Sequence, residues 1–358
     1  MYIRTISVGK GKKNLKVILS TGFNKLMLPS KNCDKNNCNG FEKYYEYQSQ
    51  DGCNPTNNQG SQKYLDSSFT GNYVNTLVSI SNLESIQQSV NGVLGLGVYN
   101  IKNDDNNSFV TSLYKKGLIK ENMFSFYLGF KNDDSKLTLG GIDPKNLVGK
   151  AYNYTLQVIQ NDQKDLQKWV LEISQFSVGY FTHIFNSTWN KTLVDSSYPY
   201  FGFEQSIYDK ISQQFLKRNV KITKNKGLYV NCKDLNLATM YFYLREKRPT
   251  FKPLDLPIDF YLSNTTSDCQ VLISPITNNQ NFCVILGSPF LRRYVSSYSY
   301  SDQSISFIQS IADPKDDTST DFSLDGFPTW PIVVIVIVAN KQLGNALKEL
   351  FASNTSAH

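Results

Sequence analysis

Histidine is nearly absent from this sequence. Only two occur in 358 residues, His183 and the terminal His358. Zinc sites depend on closely spaced imidazole or thiolate ligands, and a Ser–His–Asp triad depends on a histidine base beside its serine. Nothing in the spacing brings His183 to such a partner. The sequence therefore argues against a metal site and against a serine hydrolase, and no cofactor is expected.

No C-x-x-C pair occurs among the six cysteines. Cys33 and Cys38 lie five residues apart in a polar loop, a spacing that suits a small disulfide loop. Disulfides persist in oxidising compartments, which favours the secretory pathway, with a vacuolar, lysosomal or extracellular location. The chain opens on MYIRTISVG, which already resembles a strand, so no signal peptide is visible. A mature form and a sequence missing its start both remain open.

Charge is sparse and dispersed. Charged residues make up 19% of the chain, and its formal net charge of +7 comes from lysines scattered singly rather than gathered in a stripe. The longest basic cluster, residues 245–248, is interrupted by Glu246. Nucleic-acid sites usually concentrate basic side chains on one face. A solvated, mildly basic surface is expected, without a nucleic-acid partner.

Long apolar runs are also missing. The most apolar stretch, WPIVVIVIVA in the last 46 residues, is much shorter than the roughly 20 residues that span a bilayer. It follows an acidic linker and precedes an amphipathic segment. A buried strand, a truncated membrane anchor and a gene-model error remain open, and the anchor alternative would bring this tail into contact with a membrane.

Aromatic residues and short strand-like runs are abundant. Tyr and Phe number 22 each, and both favour strands. Runs such as LKVILS, SFYLGF and WVLEISQFSV are separated by turn residues. Helical spacing of apolar residues is confined to two segments, 108–119 and 204–218. The chain is predicted to be mainly β.

The sequence contains an internal repeat. In the first half an apolar run enters Ser20-Thr21-Gly22, and an apolar pair followed by Gly95 comes later. In the second half Thr192-Leu193-Val194 enters Asp195-Ser196-Ser197, and an apolar pair followed by Gly287 comes later. Two such halves predict two lobes related by an approximate two-fold, with the polar turns meeting between them.

At these residues the chain resembles the pepsin family of aspartic endopeptidases, from about Tyr2 to about Ile311. Six landmarks occur in the family's order: KVILSTGFNKLMLPS, KYLDSSFTG, NGVLGLG, KLTLGGID, TLVDSSYPYF and VILGSPFLRRY. The resemblance implies a mainly β, bilobal aspartic-protease fold, with two pseudo-symmetric barrel-like lobes around a central cleft. It predicts an N-terminal lobe over 1–148, a C-terminal lobe over 149–312, and a linker and tail over 313–358 outside the family fold. A monomer with a peptide or protein ligand in the cleft is expected.

The family's chemistry needs two carboxylates, one per lobe, that share a proton around a water. Asp195 lies at the second-lobe position, but Ser20 stands at the first. A serine hydroxyl bonds water but carries no charge. The residue after the first turn, usually serine in the family, is Phe23, and Tyr198 follows the second turn. These departures predict a rate lowered by several powers of ten.

The other predicted site residues have two interpretations each. The substrate-binding set implied by the resemblance is Tyr64, Gly22, Thr21 and Ser197, with Tyr64 at the flap tyrosine. Thr21, Gly22 and Ser196 also suit a structural lock between the turns, and Tyr64 suits an ordinary hairpin. Asp195 is either a retained catalytic residue or a polar turn residue without a catalytic role.

The resemblance also implies two disulfides, Cys33–Cys38 and Cys232–Cys269, which leaves Cys53 and Cys283 over. A free thiol is expected at Cys283 because it adjoins a buried strand.

Three functions remain open. The first is a degenerate homologue that binds extended peptide or protein segments in its cleft. The second is an active or weakly active aspartic endopeptidase at acidic pH. The third is a non-catalytic scaffold that binds through outer loops, with Phe23 and Tyr198 blocking the cleft.

Overall fold

The fold of the chain is given by a computed structural model. The described residues are 3–8, 13–30, 54–64, 67–75, 78–80, 91–98, 108–129, 135–155, 168–216, 221–222, 228–231, 239–245, 252–256, 262–264, 268–276, 282–310 and 337–339.

Strands dominate these residues, as the sequence predicted. In chain order the strands are β1 (Ile3–Val8), β2 (Lys13–Ser20), β3 (Leu26–Met27), β4 (Asn54–Tyr64), β5 (Ser67–Asn75), β6 (Val78–Ile80), β7 (Gly92–Gly95), β8 (Met123–Tyr127), β9 (Ser135–Leu139), β10 (Leu147–Thr155), β11 (Val170–Val178), β12 (Phe181–Ile184), β13 (Lys191–Val194), β14 (Phe201–Glu204), β15 (Lys221–Ile222), β16 (Leu228–Asn231), β17 (Met240–Leu244), β18 (Lys252–Leu256), β19 (Leu262–Asn264), β20 (Asp268–Val271), β21 (Ile273–Ile276), β22 (Val284–Leu286), β23 (Tyr294–Ser299), β24 (Ser304–Ser310) and β25 (Ile337–Ala339).

Corresponding sheets in the two halves carry the repeat. In the first half the order is β3-β7-β2-β1-β6, and β2 runs parallel to β7. In the second half the order is β18-β17-β11-β13-β22-β14-β21, with β12 paired to β11, and β13 runs parallel to β22. In both, the strand that enters a polar turn pairs in parallel with the strand that ends at or just before a glycine. The sequence repeat is therefore a structural one.

Three further sheets complete the described strands. The hairpin β4–β5 stands as a two-stranded sheet. A four-stranded sheet has the order β15-β16-β20-β19. A six-stranded sheet, β10-β24-β23-β8-β9-β25, combines strands from early and late parts of the chain. Its last strand belongs to the apolar tail and pairs antiparallel with β9.

Both predicted helices form. Helix α1 (Phe109–Lys115) begins where the Ser108 side chain caps it by accepting from the Thr111 N–H, and the chain turns at Gly117, whose φ is +68°. Helix α2 spans Gln205–Leu216 and buries Ile207 and Ile211 on one face. A short helix α3, Ser288–Arg293, follows β22 directly and was missed because six residues show too little periodicity.

An aromatic cluster lies at the centre of the core. The Trp169 ring is fully buried and contacts Tyr298 and Tyr300 at centroid separations of 5.1 and 5.2 Å. Phe124 stacks on Tyr298 at 4.7 Å. Because Phe124 and Tyr298 belong to the six-stranded sheet and Trp169 directly precedes β11, the cluster ties that sheet to the second half.

The cysteines and the tail are only partly described. Cys283 is free and buried, its Sγ contacts the Lys191 carbonyl at 3.1 Å, and burial raises the pKa of its thiol. Cys269 is buried, and its predicted partner Cys232 lies outside the described residues, as do Cys33, Cys38 and Cys53. The two predicted disulfides stay predictions. Within the described ranges no helix is long and apolar enough to cross a bilayer.

One ion pair gives a pH-dependent contribution to stability. Asp143 pairs with Lys136, and its Oδ1 accepts from the Lys145 N–H at 3.0 Å. Burial by itself raises the pKa of the Asp143 carboxyl, but the hydrogen bonds and charges of both lysines outweigh it and hold this pKa below its ordinary value of 3.8. Because the folded pKa is depressed, the contribution is complete above the ordinary value and is lost as pH falls through the lowered one.

We therefore expect Asp143→Asn to lower the free energy of unfolding by about 1–2 kcal/mol at pH 7 and by much less near pH 2. Urea denaturation at the two pH values measures this difference. Asp209→Asn is the matched control, since Asp209 is exposed on α2. An Asp143→Asn deficit that is equal at both pH values would contradict the assignment.

Candidate active site

The first polar turn is fixed by a buried strand. Strand β2 ends at Ser20, which lies opposite Gly95 of β7, and the Ser20 carbonyl accepts from the Leu96 N–H at 2.7 Å. Ser20 and Thr21 are fully buried. A Cβ at position 95 would overlap the backbone of Lys25, so a residue without a side chain lets the chain after the turn fold back onto β7.

The second turn is built in the same way. Strand β13 ends at Val194, and the Asp195 N–H donates to the Leu286 carbonyl at 3.0 Å. A Cβ at Gly287 would overlap the carbonyl oxygens of Tyr198 and Tyr200. Both turns thus leave a buried strand and pack against the backbone beside a glycine. The local sequence folds this way because each apolar strand is sandwiched inside its sheet.

Two hydroxyls join the turns reciprocally, an arrangement we call the hydroxyl clamp (Thr21 and Ser196). The Ser196 N–H donates to Thr21 Oγ1 at 2.9 Å, and the Thr21 N–H donates to Ser196 Oγ at 3.1 Å. Thr21 Oγ1 donates in turn to the Val194 carbonyl, and Ser196 Oγ donates to the Leu19 carbonyl, both at 2.9 Å. The predicted structural lock therefore exists, and it sets the separation of the two turns.

The clamp brings Ser20 and Asp195 together. Ser20 Oγ lies 3.3 Å from Asp195 Oδ1 and 2.8 Å from Ser197 Oγ. Ser197 donates to Asp195 Oδ1 twice, from its N–H at 2.9 Å and from its hydroxyl at 2.6 Å. The Gly22 N–H donates to Ser20 Oγ at 3.1 Å. Four of the predicted site residues thus form one buried group across the two turns.

This group holds a single carboxyl. One carboxylate can accept a proton from a water or a hydroxyl, but it has no second acid beside it at position 20. The Tyr298 hydroxyl lies beneath the turns, where burial above all raises its pKa and the charge of Asp195 adds to the increase. Tyr298 therefore stays protonated and supplies no charge. The geometry is that of a two-acid site with one acid present.

The bulky residues that follow the two turns, Phe23 and Tyr198, lie in different surroundings. Phe23 is buried, and its carbonyl accepts from the Gly97 N–H at 2.5 Å. The Tyr198 ring packs in an apolar cluster of the second half that includes Leu193 and Ile285, and its hydroxyl bonds Ser274 Oγ at 2.7 Å. Packing within a lobe accounts for Tyr198 without any contact to a ligand.

The remaining predicted residues have a partial description. Tyr64 ends β4 and pairs with Ser67 of β5, so its backbone lies at the closed end of a hairpin. Gly60 and Gly71 face each other farther along the same hairpin. The predicted role of Tyr64 as a flap tyrosine depends on its side chain, which lies outside the described part of the chain, so it stays a prediction. Among the described residues, no three His, Cys, Asp or Glu side chains lie close enough together to hold a metal ion.

Sequence reasoning missed the bridge formed by Ser197 and the position of Tyr298 beneath the turns. The internal repeat contained a signal for the Ser197 bridge. Ser197 is the counterpart of Gly22, so the second turn has a hydroxyl where the first has no side chain. For Tyr298 the local sequence carries no signal, because the contact depends on packing between distant strands.

Comparison with known proteins gives a consistent result. A model of the family described as eukaryotic aspartyl protease matches residues 1–310. Plasmepsin I of Plasmodium falciparum (isolate 3D7) is 24% identical over 334 residues, which cover 86% of this chain and 68% of the relative. Gastricsin of Macaca fuscata fuscata is 23% identical, covering 86% and 83%. Probable vacuolar protease A of Trichophyton verrucosum (strain HKI 0517) is 24% identical, covering 83% and 75%.

Proposed function

Because the chain belongs to the eukaryotic aspartyl protease family and has its mainly β, bilobal pepsin-like fold, we propose that it binds extended peptide or protein segments in its cleft with lost or strongly reduced peptidase activity. One observation carries this proposal. Ser20 lies 3.3 Å from the Asp195 carboxylate, at the place where the second carboxyl of the pair would stand.

The missing acid removes half of the chemistry. Hydrolysis by a carboxyl pair needs one member as the base for water and the other as the acid for the carbonyl oxygen and the leaving nitrogen. At Ser20 a neutral hydroxyl can orient a water but cannot exchange its proton at a useful pKa. Losing one member of a cooperating catalytic group typically lowers the rate by several powers of ten.

The peptide-binding half of the proposal is supported by what the site keeps. The hydroxyl clamp holds the two turns at hydrogen-bond distance, and the hairpin β4–β5 is present with Tyr64 at its closed end. A backbone hairpin over a cleft can add main-chain hydrogen bonds to an extended segment. Such a segment needs no carboxyl pair to bind.

Cleavage assays test the catalytic half. We expect the purified protein to leave a denatured protein substrate intact across pH 3–7, with no cleavage that pepstatin inhibits. The second candidate function, an active acidic endopeptidase, is favoured by the intact clamp around Asp195. Clear pepstatin-sensitive cleavage would establish that alternative and refute the loss of activity.

Binding assays test the other half. We expect members of an unmodified peptide library to bind the wild-type chain and to lose about tenfold in affinity on Tyr64→Ala, in line with the loss of a buried aromatic contact. Tyr241→Ala is the matched control, since Tyr241 is exposed on β17. Binding that neither substitution changes would favour the scaffold alternative, in which outer loops hold the partner.

We also propose that the protein is located in the secretory pathway, in a vacuole or lysosome, or outside the cell. One relative is named probable vacuolar protease A, which supports the vacuolar location. The lobes are proposed to span 1–148 and 149–312, with 313–358 as an appended tail and the protein as a monomer. The disulfides Cys33–Cys38 and Cys232–Cys269 belong to the same proposal.

A further inference from the structure

The Ser197 hydroxyl lies between the two catalytic positions. Ser197 Oγ is 2.6 Å from Asp195 Oδ1 and 2.8 Å from Ser20 Oγ, while Ser20 Oγ and Asp195 Oδ1 are 3.3 Å apart. Ser197 Oγ therefore makes the shorter contact to each partner. A water that hydrolyses a peptide must touch both catalytic positions, and here a protein hydroxyl already does so.

Counting protons gives this contact a direction. A serine hydroxyl has one proton to donate. The 2.6 Å contact to a carboxylate assigns the Ser197 proton to Asp195. In the shorter, 2.8 Å contact Ser20 is then the donor, and the same hydroxyl also lies 3.3 Å from Asp195 Oδ1, while Ser20 Oγ accepts from the Gly22 N–H. The result is a directed chain of protein groups from Gly22 through Ser20 and Ser197 to Asp195.

The repeat shows why this chain exists. The Gly22 N–H bonds Ser20 Oγ at 3.1 Å, and the Ser197 N–H bonds Asp195 Oδ1 at 2.9 Å. These two contacts correspond under the approximate two-fold. At Gly22 no side chain follows, whereas at Ser197 a hydroxymethyl group extends back over the carboxylate. The side chain is thus an addition to a turn whose backbone geometry does not need it.

We propose that the Ser197 hydroxyl occupies the position of the attacking water and is, with Ser20, a second and independent block to hydrolysis. This proposal rests on the proposed function, in which the cleft binds peptide without cleaving it. Restoring the carboxyl at position 20 alone leaves the bridge in place. Cleavage beyond a trace returns only when the bridge is removed as well.

The restored reaction is ordinary hydrolysis. Water oxygen adds to the peptide carbonyl carbon while one carboxylate takes a water proton. The carbon–nitrogen bond then breaks as the other carboxyl gives its proton to the nitrogen, leaving a carboxylic acid and an amine. No further reactant is needed.

Double substitution tests the proposal. The assay compares kcat/KM on a denatured protein and its peptides at pH 3–7 for Ser20→Asp, Ser197→Gly, and both together. We expect no cleavage from Ser197→Gly, a trace from Ser20→Asp, and about a hundredfold more from the pair, within the range that general acid–base catalysis supplies. A pair no faster than Ser20→Asp alone, including the case in which neither cleaves, overturns the proposal.

Two controls keep the result specific. The first combines Ser20→Asp with Ser197→Ala, which removes the hydroxyl but keeps a Cβ. We expect its kcat/KM to match that of the pair with Ser197→Gly. It also takes the place of that pair if the glycine variant folds poorly. Ser20→Asp with Ser187→Gly changes an exposed serine and should match Ser20→Asp. If the wild-type chain binds no peptide, the proposed function fails, whereas the ratio between pair and single variant still decides the role of Ser197.

Discussion

Trp169→Ala is expected to lower the free energy of unfolding by about 3–5 kcal/mol, in the range for removing a large aromatic side chain from a core. The Trp169 ring is 0% exposed and packs against Tyr298 and Tyr300. Its Nε1 donates to the Leu96 carbonyl at 2.7 Å. Substitution therefore leaves a cavity and removes a buried hydrogen bond. Urea denaturation followed by fluorescence and circular dichroism measures the loss.

The control for this prediction is Trp189→Ala. Trp189 is 38% exposed, so we expect its substitution to cost much less. Trp169→Phe separates the two contributions of Trp169, since it keeps a ring and removes the N–H. The Leu96 carbonyl then still accepts from the Tyr300 hydroxyl at 2.9 Å, so the cost should fall to about 1–2 kcal/mol. Equal costs at positions 169 and 189 would contradict the assigned core.

Breaking the hydroxyl clamp is expected to be the next most damaging change. Thr21→Val keeps the shape of the side chain but leaves the Ser196 N–H without its acceptor in a buried site. Ser196→Ala does the same to the Thr21 N–H. Each buried N–H left without an acceptor lowers the free energy of unfolding by about 1–3 kcal/mol, and each substitution also removes the hydroxyl that donates to a buried carbonyl. We expect about 2–4 kcal/mol for either variant.

The double variant shows whether the clamp acts as a unit. Once one hydroxyl is lost the turns can separate, so the second loss should cost about 0.5–3 kcal/mol less than it does alone. Chemical denaturation of both single variants and the pair gives this coupling. Thr182→Val, an exposed threonine on β12, is the control and should stay within about 0.5 kcal/mol of wild type. Strict additivity would mean that the two hydroxyls act separately.

Local patterns predicted the strands and the two longer helices. The run LKVILS makes up most of β2 and the run WVLEISQFSV contains all of β11, because residues that favour strands, bounded by turn residues, define a strand within a few residues. The repeat around Gly95 and Gly287 also predicted that the polar turns would meet. Those features depend on residues near one another in the chain, so local sequence patterns predict them.

Long-range geometry was not predictable in the same way. The residue types at Ser20 and Asp195 indicated a degenerate site, but only the folded distances show that Ser197 Oγ bridges them. The aromatic cluster around Trp169 is likewise set by how separate strands pack. Hydroxyl contacts of 2.6–2.8 Å depend on small shifts of the backbone that no residue pattern encodes.

The hydroxyl clamp has a consequence for how this site can change over time. Its four hydrogen bonds use two hydroxyls, two backbone N–H groups and two carbonyls, and none involves the side chain at position 20 or 195. These four hydrogen bonds can therefore form whichever side chains stand at positions 20 and 195. A substitution at position 20 leaves these four hydrogen bonds in place, so the need to fold does not by itself preserve an acid there.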